Sequence, residues 1–175
     1  METTTELTRE QRDKRVAVAR DVLKQLDRAD MRLKVRHNSY LSGPSFRGSF
    51  GGGSLQSYVD ELQQHCEVCM LGAAFLSYTR LYNGVETGVI YSGERRLHIN
   101  GSDMRPHLET IFDARTLDLM ESVFEKCVMT DEEITDELRE AAEFGDSFES
   151  PHDAARAIAQ NIVDHDGEFI LPPTP

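Results

Sequence analysis

The chain has no tryptophan, and only 39% of its 175 residues are apolar. That share is on the low side but suffices for one hydrophobic core, and a chain of this length is expected to form a single domain over residues 1–175. No window approaches 18 uncharged apolar residues, which excludes an ordinary membrane-spanning helix. Residues 1–10 lack the apolar stretch of a secretory signal, and a cytoplasmic protein is expected. Cysteine is scarce and odd in number, at 66, 69 and 127, which argues against a disulfide framework.

Chemical motifs are equally sparse. The histidines form no His-x-x-x-His pair, and the serines near glycines make no Gly-x-Ser-x-Gly elbow. The run Gly48-Ser-Phe-Gly-Gly-Gly53 lacks the Gly-Lys-Ser/Thr that would hold a nucleotide phosphate and magnesium. Asp164-His-Asp166-Gly167 resembles part of a calcium loop, but Ile162 stands where an acid is needed and no closing Glu follows.

What the chain does have is charge, unevenly placed. The net charge is −12. Residues 1–60 hold eleven Lys/Arg against eight Asp/Glu, whereas residues 61–175 hold eight against 23. The densest stretch, 131–149, contains Asp131, Glu132, Glu133, Asp136, Glu137, Glu140, Glu143, Asp146 and Glu149 against Arg139 alone. Thr130 and Glu133 fit a capping box, and Ile134, Leu138 and Ala141/Ala142 supply a thin apolar side, so an acidic helical insert is expected. A field of this sign repels nucleic acid and attracts basic protein surfaces. The plain alternative is a solvated helix face.

Periodicity predicts helices for most of the chain. Val16, Ala19, Val22, Leu23 and Leu26 mark a helix over about 8–28, opened by a Thr8/Gln11 capping box. Arg32 to His37 alternate as a strand that Tyr40-Leu41 can extend. Residues 43–53 are Gly/Ser-rich and expected to form a mobile loop, in which Phe46 and Phe50 are candidate binding residues. Ser54 caps a short helix carrying Leu55, Tyr58, Val59 and Leu62. A hairpin is expected over 87–99, a helix over 106–112, and another capped by Asp113 with Leu117, Met120, Val123, Phe124 and Cys127 on one face. Ser150-Pro151 opens a last helix, turned by Asp166-Gly167. The sum is a mainly helical α+β protein of six or seven helices with one or two short β elements.

The longest apolar run, from His65 to Asn83, reads as the central core helix and begins with Cys66-Glu-Val-Cys69. At a helix start the dipole could activate a thiol, and His65, Cys66, Cys69 and Cys127 could supply four zinc ligands. The stronger reading is structural thiols, because free cysteine most often behaves as a small buried hydrophobe. Gly72-Ala73-Ala74 removes bulk for a close crossing by a neighbouring element.

Three blocks then carry a resemblance: Cys66-Glu-Val-Cys-Met-Leu-Gly-Ala-Ala-Phe-Leu-Ser-Tyr-Thr-Arg-Leu-Tyr82, Ile111 to Glu125, and Ala154 to Pro172. In order and spacing they resemble a family of small uncharacterised proteins of bacteria and their phages, a domain of unknown function. The resemblance implies no activity and assigns no site residues. It suggests a non-enzymatic phage- or mobile-element-type protein, without cofactor, that binds and modulates a host or defence protein through its acidic surface. No direct nucleic-acid binding is expected, although the partner itself could bind nucleic acid. The alternative is a small zinc- or thiol-dependent enzyme centred on Cys66 and Cys69.

Overall fold

A computed structural model describes residues 7–45, 54–82, 84–85, 96–128 and 134–173. They form a mainly helical α+β domain: seven α-helices and one 3₁₀ helix around a four-stranded sheet. The helices are α1 (Arg9–Asp27), α2 (Val59–His65), α3 (Met70–Leu81), α4 (Gly101–Leu108), α5 (Ala114–Glu125), α6 (Asp136–Asp146) and α7 (Pro151–Asp164). The strands are β1 (Lys34–Val35), β2 (Leu41–Ser45), β3 (Glu67–Val68) and β4 (Arg96–Ile99). Sheet order is β1-β3-β2-β4; β1 runs parallel to β3, and β2 pairs antiparallel with both β3 and β4. Among the described residues no helix is long and apolar enough to cross a membrane.

Local chemistry explains most boundaries. Thr8 accepts from the Gln11 backbone while the Gln11 side chain returns to the Thr8 N–H, closing the expected capping box on α1. Ser54, Asp113 and Ser150 cap their helices as their positions predict. The core gathers around α3, whose residues 70–77 are all buried. Gly72 lets the backbone carbonyl of Tyr40 lie against α3, the close crossing expected of the small residues. Arg15, 3% exposed, ties α1 to the rest: its Nε donates to the Ile111 carbonyl (2.5 Å), its Nη2 to Asp113 Oδ2 (3.1 Å), and its guanidinium lies over the Phe112 ring.

The structure corrects several expectations. The apolar run does not begin as a helix: α2 ends at His65, Cys66 is extended, and Glu67–Val68 form an inner strand before Cys69 opens α3. An apolar run cannot by itself distinguish a buried strand from a buried helix, and pairing with β1 and β2 decides the matter here. The strand expected over 32–37 contracts to β1, and Leu41 begins a separate strand. Gly43 belongs to that strand rather than to a loop, and Cys66 Sγ occupies the space its side chain would need. The helix expected over 106–112 starts earlier, at an Asn100/Asp103 capping box, and contains Pro106. Cys127 is not on the buried face of α5, because Lys126 takes a left-handed conformation (φ 59°) that ends the helix and leaves Cys127 exposed. Ile134 precedes α6 and is 50% exposed. Outside the described residues lie Phe46 and Phe50 with the rest of the Gly-rich segment, the turn of the expected hairpin, Asn83, Thr130, Asp131, Glu132 and Glu133.

Candidate functional site

The Cys-x-x-Cys pair is part of the core. Cys66 and Cys69 are each 2% exposed. Burial pushes the Cys66 thiol up to about 11, and the Lys34 charge offsets little of it. Cys69 stands at the N-cap of α3, where Gly72 and Leu71 N–H groups favour a thiolate, yet burial dominates and pushes it up to about 12. The activation that a helix start could give is therefore overridden by desolvation, as structural thiols require. The four candidate zinc ligands are not brought together: His65 is exposed at the end of α2, and Cys127 is exposed beyond α5. Among the described residues no three His, Cys, Asp or Glu side chains are placed to hold a metal ion.

Within the acidic segment expected as a helical insert, Asp136–Asp146 form a packed helix. α6 starts at Asp136 and is capped by Thr135, whose hydroxyl accepts from the Leu138 N–H. Leu138, Ala141 and Gly145 form its buried side, and Gly145 admits the Val123 carbonyl of α5 where a Cβ would collide. A helical period of 3.6 residues turns Asp136, Glu140 and Glu143 to the opposite side, where all three are exposed. Asp136 accepts from Arg139 (2.8 Å), and Glu137 leans inward to accept from Arg115 Nε (2.8 Å). Glu140 and Glu143 have no cationic partner among the described residues. Like charges three residues apart oppose the helix, so this row is maintained against a small electrostatic penalty.

Sequence reasoning missed a second row of acids on α5. Asp118, Glu121 and Glu125 follow one another at i, i+3 and i+7, and the side chains of Glu121 and Glu125 are only 4% exposed. Arg105 of α4 pairs with Asp118 and with Glu121 (3.2 Å). Glu125 accepts from the Asn38 backbone N–H through both oxygens (3.1 and 2.9 Å) and so fixes Asn38 in its left-handed conformation (φ 57°). Burial raises the Glu125 pKa, the Asn38 bond opposes, and the neighbouring Glu121 charge adds to the rise. His37 lies 3.7 Å from Glu125, but burial first and Lys126 second lower its pKa, so it stays neutral and does not compensate the carboxylate. This row resembles an acid–base pair electrostatically, yet its bonds go to backbone, to Arg105 and to the Tyr40 hydroxyl, and the Glu121 and Glu125 carboxylates are closed off from solvent. The i, i+3, i+7 spacing was the available signal, hidden among many other acids.

Comparison of the chain with known protein families, curated proteins and solved structures gives no match.

Proposed function

We propose that the protein acts by binding rather than by catalysis, presenting the outer row of α6 to a basic surface on another protein. The observation that carries this reading is the pair Glu140 and Glu143: exposed, without cationic partners among the described residues, and mounted on a helix clamped to α5 at Gly145. Rigid display of like charge favours fast association with a basic partner. Together with the resemblance to small proteins of bacteria and phages, it supports a phage- or mobile-element-type protein that modulates a host or defence protein, including one that itself binds nucleic acid. The zinc- or thiol-dependent alternative draws less support, because burial keeps Cys66 and Cys69 protonated and Cys127 stands apart.

The test is charge reversal at Glu140→Lys with Glu143→Lys, which leaves the Thr135 cap and the Arg139–Asp136 pair intact. Wild type and variant are used as bait in a host lysate, and association with the basic protein retained by wild type is timed at low and high salt. The variant should associate about tenfold more slowly, and the wild-type rate should fall with salt. Equal retention by both proteins, or a rate indifferent to salt, would return α6 to the role of a solvated face.

A further inference from the structure

The outer edge of the sheet carries a cleft of about 510 Å³, lined by the link from α1 into β1, by Gln64 of α2 and by His152 of α7. It is basic in an acidic protein. Arg32, Lys34 and His152 line it, and Arg32 and Lys34 have no carboxylate partner among the described residues. One acid, Asp30, also lines it, but it and the neighbouring Asp27 are already engaged. Asp30 accepts from Arg28 Nε (3.0 Å) and Nη2 (2.8 Å), and the Arg28 hydrogen bonds hold its pKa down at about 2. Asp27 accepts from both terminal nitrogens of Arg156.

Arg32 Nη2 instead approaches His152 Nε2 at 2.7 Å. A guanidinium can only donate, so in this contact the ring accepts through Nε2; the Leu26 carbonyl, 3.3 Å from the same nitrogen, can only accept and gains no bond in that tautomer. Two basic side chains thus face each other with no carboxylate in direct contact with Arg32 among the described residues, although the Asp27 charge reaches both, and most of the guanidinium donors remain available. The loop that carries Arg32 is held firmly from beneath. The Gln25 carbonyl accepts from Leu33 N–H (3.0 Å), and Gln63 Nε2 donates to the Met31 carbonyl (2.6 Å). Gln63 is itself fixed by Arg80 Nη2 (2.5 Å), and Arg80 by Asp21 (2.5 Å). These part-buried bonds pre-shape the cleft, which lowers the ordering cost of binding.

We propose that this cleft binds a small phosphorylated molecule, with the phosphate between Arg32, Lys34 and His152 and a less polar remainder against the half-buried Met31 and Val35. A phosphomonoester offers three peripheral oxygens and more than one negative charge at neutral pH, which matches a guanidinium fork, an ammonium and an imidazole better than a single carboxylate does. The volume falls in the range of small-molecule sites. This site lies apart from α6 and does not depend on the partner-binding reading.

The experiment is a titration of the isotopically labelled full chain with inorganic phosphate and with 5′-AMP, followed by amide NMR. Saturable shifts centred on 29–35, Gln64 and His152 are expected, with AMP binding more tightly than phosphate. Arg32→Gln with Lys34→Gln should weaken AMP binding at least about tenfold while keeping the native spectrum, because both side chains are exposed. Arg139→Ala on α6 should bind like wild type. Absence of saturation by about 10 mM AMP, shifts centred elsewhere, or undiminished binding by the Arg32/Lys34 variant would overturn the proposal.

Discussion

Gly72 lies directly beneath the carbonyl oxygen of Tyr40, so a Cβ at position 72 would overlap that oxygen and press on Val68. The obstacle is backbone on one side and the fully buried Val68 on the other, and neither can swing away. Gly72→Ala is therefore expected to cost at least about 1–3 kcal/mol, the range for overpacking a tight core. In a chain of this length each kcal/mol lowers the melting temperature by about 2–4 °C. Gly84→Ala is the control, since nothing lies within 4 Å of its added carbon. Equal melting of the two variants would show that α3 and the Tyr40 segment are not in contact.

The three thiols should divide cleanly in a labelling experiment. In the native protein a water-soluble disulfide reagent should modify the exposed Cys127, and slowly, because partial desolvation of its sulfur and the neighbouring acids Glu125 and Glu121 raise its pKa. Cys66 and Cys69 should react only on unfolding. Serine at the two core positions should also behave differently. A hydroxyl at 69 can accept from the Gly72 N–H as a normal N-cap, whereas one at 66 replaces sulfur packed against Gly43. Cys66→Ser should thus lose about 1–3 kcal/mol, and Cys69→Ser less. Rapid native labelling of two or three thiols would contradict the buried arrangement.

Arg105 is the only cation paired with Asp118 and Glu121 among the described residues. Arg105→Ala leaves two poorly solvated carboxylates facing each other, a loss of about 3–5 kcal/mol by denaturant unfolding. Adding Glu121→Gln to that variant should recover part of the loss, since one charge is then removed. Without any recovery, the Arg105 effect would be a packing effect rather than an electrostatic one.

The helical segments were legible where period and cap agree: α1, α5 and α7 start at residues whose side chains accept the first free N–H groups. The sheet was harder to read. β1 and β3 have two residues each, too few to show alternation, and they exist because Val68 is enclosed between β1 and β2. The acids of α6 could be named from composition, but which of them face outward depends on Gly145 meeting Val123. The basic cleft joins residues 29–35 to His152, more than a hundred positions away, and only the packing of α7 beside β1 brings them together.

Glu125 should leave a signature in the pH dependence of stability. Its folded pKa lies above the ordinary carboxylate value because burial, reinforced by Glu121, disfavours the charge. Between those two values the folded protein holds a proton that the unfolded chain has released. Stability from this group is therefore full at low pH and is lost as pH rises through the raised value. Glu125→Gln stays neutral, and its amide oxygen can still accept from the Asn38 N–H. Measured by urea unfolding from about pH 4 to pH 8, the difference between Glu125→Gln and wild type should move in favour of the variant as pH rises, then level off. His37 lies 3.7 Å from Glu125 and is coupled to it, so the comparison is repeated in a His37→Gln background, where its titration is absent from both proteins. A difference that stays flat, or that moves in favour of wild type, would mean that Glu125 is ionised without penalty and that the α5 row is better solvated than its burial indicates.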